Sequence, residues 1–173
     1  IGATVTAQAT SGSESNIALV KEGKVTFGYA NALSCQWALT GTGTFEKTGK
    51  MPVRLVNACW SNCYHFLVRN DSPIKDIPDL KGKTVAVHTP GAEILRIAFL
   101  LVLNEYGLTE KDVNTPPLGG AAVMAEAFKD RTAELLLLPS PLGGHPQTKE
   151  ICELIPCRFL PIKQSILEAI KDK

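Results

Sequence analysis

The sequence predicts an α/β fold, in which apolar strands alternate with helices along the chain. Two short apolar segments, residues 84–87 and 133–138, have the composition of strands buried in a sheet. A long helix is predicted after the first of them, at residues 89–106, where the polar residues form one narrow stripe. Strands and helices in this order favour parallel strands joined by right-handed crossovers.

Glycine, proline and hydroxyl residues divide the rest of the chain into further elements. Strands are predicted at residues 3–9, 25–29, 53–57, 64–68 and 158–162. Helices are predicted at residues 14–22, 31–39, 121–129 and 164–171, with a short helix ending at 153 and one or two helical turns at 74–80. The length of 173 residues fits one ordinary domain or two small lobes.

Composition excludes several classes of partner. Hydrophobic residues make up 45% of the chain and charged residues 20%, which is typical of globular proteins. The net charge of +1 is not the excess of positive charge expected of a protein that binds nucleic acid or an anionic membrane surface. The longest apolar run, residues 97–103, is far shorter than the about 20 residues of a membrane span. We therefore expect neither nucleic-acid binding nor direct membrane insertion.

No motif for catalysis or for a cofactor stands out. Residues 41–50 contain glycines and lysines, but their spacing differs from that of a phosphate-binding loop. The three histidines, His65, His88 and His145, are far apart in sequence and do not form a metal-binding motif. The five cysteines are compatible with free thiols, which we favour, or with one labile disulfide; they are Cys35, Cys59, Cys63, Cys152 and Cys157. The sequence therefore predicts a protein that is not an enzyme and has no cofactor.

Small and hydroxyl residues recur where a strand leads into a helix. They occupy residues 10–13, 89–92 and 118–120. Free N–H groups at helix starts bind anions, and in open α/β sheets ligands lie beyond the carboxyl ends of the strands. The same residues also serve as ordinary helix caps, so both interpretations stay open.

Four segments resemble one family of binding proteins, and they follow one another in the family's order. DLKGKTVAV at residues 79–87 is similar to the start of the second lobe of type II periplasmic solute-binding proteins. VTAQATSGSESNI at residues 5–17 resembles a stretch of the TAXI-type binding subunits of TRAP transporters. The loop at residues 139–146 and CRFLPI at residues 157–162 resemble later segments of the same subunits.

This resemblance implies a two-lobed, hinged fold of the type II periplasmic-binding-protein kind, with parallel-rich sheets flanked by helices. Lobe one would span residues 1–71, lobe two 72–162, and a C-terminal helix at 163–173 would lead back toward lobe one. Against the family pattern, the first strand and the final returning segments are missing, so we expect a fragment with lobe one incomplete. The family captures a small organic acid or amino acid outside the cytoplasmic membrane, in the periplasm, and delivers it to a TRAP-type permease.

The resemblance also implies which residues bind the ligand. They are Thr10, Ser11, Gly12, Ser13, Asn31 and Ser34 in lobe one, and Thr89, Pro90, Gly91, Ala92, Gly144 and His145 in lobe two. Glu93 departs from the family pattern. A carboxylate at this position, near a helix start, competes with an anionic ligand. We therefore expect Glu93→Gln to strengthen carboxylate binding and Ser13→Ala to weaken it.

Other functions and partners remain open at this point. An enzyme on the same scaffold would require paired carboxylates or a triad, and the sequence marks neither. A ligand-sensing module of a receptor or regulator is compatible with the fold. An incomplete lobe one would uncover Val25, Phe27 and Trp37, which predicts self-association of the fragment.

Overall fold

A computed structural model of the chain describes residues 2–59, 61–87, 89–140 and 144–171. The chain divides into two compact units, unit 1 at Ile1–Arg54 and unit 2 at Leu55–Lys173. The sequence places the boundary of lobe one later, after residue 71. The two positions differ because the strand at Cys63–Arg69 is hydrogen-bonded into the sheet of unit 2.

Unit 1 is built from two helices and a turn. Helix α1 spans Ser13–Lys21, helix α2 spans Ala32–Thr40, and a 3₁₀ turn follows at Gly43–Phe45. The buried side chains that hold them together are Ile17, Ala38, Phe45 and Met51. The Met51 N–H donates a hydrogen bond of 2.7 Å to the Ala38 carbonyl, which ties the chain after the turn to α2.

The strands predicted at residues 3–9, 25–29 and 53–57 are wrong. Over the described residues of unit 1 the chain forms no strand, and Val5 and Phe27 are 87% and 71% exposed. A β-branched sequence forms a strand only where another strand supplies hydrogen-bond partners and a packed face. Phe27 is uncovered as expected, whereas Val25 and Trp37 are half-buried. Self-association stays a prediction.

Gly43 offers a test of packing in unit 1. Its φ is 56°, and a Cβ there would lie 2.5 Å from Trp37 Cδ2. We expect Gly43→Ala to cost about 1–3 kcal/mol more than Gly49→Ala, because overpacking adds to the backbone strain. Gly49 is the matched control, since its φ is 72° and its Cβ would meet open space. Urea unfolding followed by Trp37 fluorescence, in a Trp60→Phe background, measures the difference, and equal losses would contradict the clash.

Unit 2 contains a four-stranded mixed sheet. Its strands are β1 at Cys63–Arg69, β2 at Val85–Ala86, β3 at Leu135–Ser140 and β4 at Cys157–Phe159, in the order β2-β3-β1-β4. Strand β3 runs parallel to β2, and β1 is antiparallel to both β3 and β4. The α/β class is confirmed. The sheet is mixed rather than rich in parallel pairs, because β1 enters between β3 and β4 in the opposite direction.

Helices cover both faces of this sheet. They are α3 at Glu93–Glu105, α4 at Ala121–Lys129, α5 at Pro146–Leu154 and α6 at Gln164–Ile170, with 3₁₀ turns at Ile77–Leu80 and Glu110–Asp112. One face packs Phe66, Val68, Leu135 and Leu137 against Phe99 and Leu103 of α3. The other packs Leu67, Leu136 and Leu138 against Met124 and Phe128 of α4 and Ile151 of α5. The alternation along β1 and β3 therefore separates two cores.

The C-terminal helix α6 packs within unit 2. Leu167 and Ile170 of α6 line an apolar groove together with Ala98 and Leu101 of α3 and Tyr64 of β1. The sequence predicts the helix at this position and directs it toward lobe one. In the structure its apolar side chains lie against α3.

Candidate functional site

The carboxyl ends of β2 and β3 define one edge of the sheet in unit 2, called here the carboxyl edge. Val85 pairs with Leu135 and Ala86 with Leu136 in a parallel register, so both strands end on the same side. The chain after β2 leads into α3, and the chain after β3 leads into α5. The lobe-two residues that the sequence predicts as ligand-binding therefore follow two neighbouring strand ends. His88, which follows β2, lies outside the described residues.

Thr89 fixes the turn into α3. Its side chain is 2% exposed, and its hydroxyl donates to Met124 Sδ in α4 at 3.2 Å. Its carbonyl accepts from the Ala92 N–H at 2.9 Å, and Gly91 has a φ of 86°. The hydroxyl of Thr89 thus positions the turn against the first turn of α4, and exposed Pro90 lies on its outer side.

The start of α3 has no side-chain cap from its N-cap residue. The N-cap residue is Ala92, whose methyl group cannot accept a hydrogen bond. Glu93 follows in the first turn, and its Oε2 lies 4.0 Å from Arg96 Nη1. Arg96 in turn donates two hydrogen bonds to Glu110. An uncapped start of a 13-residue helix attracts anions.

His145 caps the start of α5 with its own ring. Its Nδ1 accepts from the Gln147 N–H at 3.3 Å, and Pro146 follows at the first helical position. Burial lowers the pKa of His145, which favours the neutral imidazole that this acceptor role requires. Gly144 precedes it with a φ of 94°, a conformation that favours glycine. Of the loop predicted at 139–146, residues 141–143 lie outside the described residues.

Three buried polar atoms near the carboxyl edge have no hydrogen-bond partner among the described residues. They are Ser140 Oγ, His65 Nε2 and Gln147 Oε1. Cys63 pairs with Ser140 and His65 with Leu138, so His65 and Ser140 lie on the face covered by α4 and α5. Buried polar atoms are normally satisfied by protein, water or ligand. In the sequence, His65 is one of three histidines that form no metal-binding motif, and nothing there marks Ser140 as part of a site.

In unit 1, Ser13 joins the starts of α1 and α2. Its hydroxyl accepts from the Asn31 N–H at 3.0 Å and from Asn31 Nδ2 at 3.2 Å. Ser34 is fully buried and donates to Glu14 Oε1 at 2.8 Å. Ser13, Asn31 and Ser34, which the sequence assigns to one half of a site, therefore lie where α1 and α2 meet. Glu14 takes part in the same contact as the partner of Ser34. Their hydroxyl and amide groups hold the two helices together.

The chain before α1 is exposed and rich in hydroxyl groups. Thr10 Oγ1 donates to Asn16 Oδ1 at 2.7 Å, and the hydroxyls of Ser11 and Ser15 share a hydrogen bond. Gly12 is the N-cap of α1 with a φ of 147°, and within the described chain no side chain caps this helix. The start of α1 is thus uncapped like that of α3, and the N-cap residues of α2, α4 and α6 supply no side-chain cap either.

The described residues contain no group of three His, Cys, Asp or Glu side chains that could hold a metal ion. No helix in this part of the chain combines the length and hydropathy needed to cross a membrane.

The fold matches that of periplasmic binding proteins. The alkanesulfonate-binding protein SsuA from Xanthomonas axonopodis pv. citri, bound to MOPS, superposes with a TM-score of 0.62 and 18% identity, covering 90% of this chain and 49% of that one. The substrate-binding protein of an amino acid ABC transporter superposes with a TM-score of 0.56 and 15% identity, covering 92% of this chain and 67% of that one. The chain thus spans about half the length of the Xanthomonas protein.

The chain belongs to the NMT1-like family, whose family model matches residues 2–173. Together with the superpositions, this confirms the periplasmic-binding-protein kind of fold. The finer resemblance to TAXI-type subunits of TRAP transporters stays a prediction.

Proposed function

We propose that this chain is the ligand-binding part of an extracytoplasmic solute-binding protein that captures a small organic acid or amino acid for a membrane permease. The observation that carries the proposal is the carboxyl edge of unit 2. There the start of α3, which has no cap from its N-cap residue, follows one strand, and Ser140 ends the neighbouring strand with a hydroxyl that has no partner among the described residues. Ligands of open α/β sheets bind at such edges.

An anionic group suits this edge best. Each uncapped helix start favours an anion by about 0.3–1 kcal/mol, and by up to about 2 kcal/mol where it is partly buried. The neutral ring of His145 adds no negative charge, and the net charge of +1 does not oppose an anion. The structural relatives support small anions or zwitterions, since one binds alkanesulfonates and another serves amino acid transport. In unit 1, residues 10–13 at the start of α1 are a separate candidate for binding an anion.

The kind of permease that receives the ligand is a separate part of the proposal. The sequence resemblance to TAXI-type subunits favours a TRAP-type permease, whereas the amino acid relative belongs to an ABC transporter. We propose the TRAP-type partner on the segments that resemble TAXI-type subunits, which are residues 5–17, 139–146 and 157–162. A TRAP permease gene beside the gene for this chain would support it, and ABC permease and ATPase genes there would contradict it.

Ala92 is the sharpest position at which to test the site. Its methyl group holds no hydrogen bond of the fold, whereas Ser13 holds Asn31. Ala92→Asp puts a carboxylate where the anion would bind, and we expect at least about tenfold weaker binding from charge repulsion. Ala92→Leu is the matched control of similar size, whose side chain carries no charge and cannot cap the helix, and its affinity should stay within about threefold of the original.

The measurement is titration calorimetry on the protein that contains this chain. Glutamate, succinate and ethanesulfonate serve as probes, and mass spectrometry of co-purified small molecules extends the panel. Binding of one probe that is lost in Ala92→Asp and kept in Ala92→Leu supports the proposal. Equal affinity in all three proteins would place the ligand away from α3.

A further inference from the structure

His65 and Ser140 are diagonal neighbours on one face of the sheet. His65 of β1 lies opposite Leu138 of β3, and Ser140 follows Leu138 by two residues, so both side chains lie on the face covered by α4 and α5. Diagonal neighbours of this kind are about 7–8 Å apart, near enough for one small group to contact both side chains. His65 Nε2 and Ser140 Oγ are buried, yet neither atom bonds to the other or to another described group.

The surroundings of these two atoms leave them little freedom to find another partner. The ring centroid of His65 lies 5.3 Å from that of Phe159 on β4, with 51° between the ring planes. Ser140 is 1% exposed at the last position of β3. Because a buried polar atom without a partner destabilises a fold, such atoms are normally satisfied by a water molecule or a ligand.

Helix α5 brings a third atom of this kind to the same end of the sheet. Gln147 lies in the first turn of α5, and its Oε1 is buried with no hydrogen-bond partner among the described residues. Ile151, one turn later on the same side of the helix, belongs to the same core cluster as Leu138. Since α5 begins after the loop that follows β3, Gln147 lies toward the end of β3 that Ser140 occupies.

The three atoms can accept hydrogen bonds together. The Gln147 amide oxygen only accepts, the Ser140 hydroxyl accepts through its lone pairs, and His65 Nε2 accepts when Nδ1 carries the ring proton. A carboxylate in this space would meet the lone pairs of Gln147 Oε1. An ammonium group instead has three N–H donors, one for each of the three atoms. The chemistry of the cluster therefore favours a nitrogen that donates.

We propose that His65, Ser140 and Gln147 form a subsite for the amino group of the ligand and select an amino acid over the same acid without its amino group. This inference rests on the function proposed above, in which the anionic group of the ligand binds at the start of α3. The ligand's own anionic group balances the charge of its ammonium group, so the three neutral side chains can bind that group by hydrogen bonds alone.

The start of α3 and the proposed subsite adjoin one core. Thr89, in the turn that leads into α3, donates a hydrogen bond to Met124 Sδ at 3.2 Å. Met124 belongs to the same core cluster as Leu138 and Ile151, beside which Ser140 and Gln147 lie. Strands β2 and β3, which lead to the turn and to the subsite, are also hydrogen-bonded neighbours. One small ligand can thus present its anionic group to the helix start and its amino group to the subsite.

Pairs of probes that differ only in the amino group measure this selection. Titration calorimetry on the protein that contains this chain compares glutamate with glutarate, alanine with propionate, and taurine with ethanesulfonate. The second molecule of each pair keeps the anionic group and lacks the nitrogen. For a pair that binds, we expect the amino compound to bind at least about tenfold more tightly, because hydrogen bonds from a charged donor are strong.

Gln147→Met and Ser140→Ala each remove one acceptor from the subsite. Methionine matches glutamine in length and keeps the main-chain N–H that bonds to His145 Nδ1. In each variant we expect the preference for the amino compound to fall to about threefold or less, while its partner probe keeps its affinity within about threefold. Gln164→Met, at an exposed position of α6, is the matched control and should keep the full preference. Damage to the fold would weaken both probes of a pair and leave their ratio unchanged.

The outcomes separate this inference from the proposed function. The subsite alone is refuted if Ala92→Asp blocks binding but the paired probes bind equally, or if the preference survives in both Gln147→Met and Ser140→Ala. A crystal structure of the complex with water, rather than the ligand nitrogen, between His65 and Ser140 would also refute it. If no probe binds, or if Ala92→Asp leaves every affinity unchanged, the proposed function fails and the subsite fails with it.

Discussion

Replacing Phe99 by alanine is expected to destabilise unit 2 by about 3–5 kcal/mol, the usual cost of removing a buried aromatic ring. Phe99 is fully buried in α3, and its ring centroid lies 6.3 Å from that of Phe66 on β1. Alanine removes both the buried apolar surface and the contact between the helix and the sheet. Native-state hydrogen exchange of the β1 and β3 amides measures the loss in unit 2 itself.

Phe159 is the matched control for Phe99. It lies on β4 of the same sheet, is 52% exposed, and its ring centroid is 5.3 Å from that of His65. We expect Phe159→Ala to cost about 1 kcal/mol or less, since solvent already covers much of the ring. Equal losses for the two substitutions would mean that Phe99 is not packed in the core as the structure describes.

Replacing Arg69 by methionine is expected to cost about 3 kcal/mol, because two buried carbonyl groups lose a charged donor. Arg69 is 5% exposed, and its Nη1 donates to the carbonyls of Phe128 at 2.6 Å and Ala133 at 3.2 Å. The guanidinium also lies 4.9 Å from the centroid of the Phe128 ring. Burial lowers the pKa of Arg69, yet a guanidinium stays protonated at neutral pH.

Methionine isolates the hydrogen bonds from the packing. Its side chain keeps most of the apolar stem, so any cavity stays small. Arg131→Ala is the control within the same group of charges, since Arg131 pairs with Asp71 where both side chains are more than half exposed. That exposed pair should contribute about 0–1 kcal/mol. Urea unfolding of both variants compares them, and a loss for Arg69→Met no larger than for Arg131→Ala would contradict the buried role.

The sequence predicts the elements of unit 2 well because their signals are local. The apolar segments at 84–87 and 133–138 mark β2 and β3, and the narrow polar stripe marks α3 at Glu93–Glu105. Each of these elements is buried on most sides, so composition alone identifies it. No local feature of the sequence predicts the direction in which β1 runs in the sheet. Pairing depends on residues far apart in sequence, and the alternation in β1 fits a parallel or an antiparallel neighbour equally well.

The contacts of the candidate site residues were harder to predict from sequence, because they also depend on residues far apart in the chain. Small residues at 10–13 and 89–92 do mark the uncapped starts of α1 and α3. The unpartnered hydroxyl of Ser140 does not show in the sequence, because it depends on what surrounds the end of β3. The role of Ser34 was equally hidden, since its partner Glu14 belongs to another helix. The ligand-binding role of these residues stays a prediction.

The order of strands in the sheet has a consequence for biosynthesis. Strand β1 is complete at residue 69, but both β2 and β1 must pair with β3, which is not synthesised until residues 135–140. At roughly 5–20 residues per second, a nascent chain carries β1 unpaired for several seconds. During that interval β1 presents alternating apolar side chains and open hydrogen-bonding edges, which is the state that holding chaperones recognise. Translation past Ser140 thus lets β1, β2 and β3 pair, and β4 completes the sheet once residues 157–159 are synthesised.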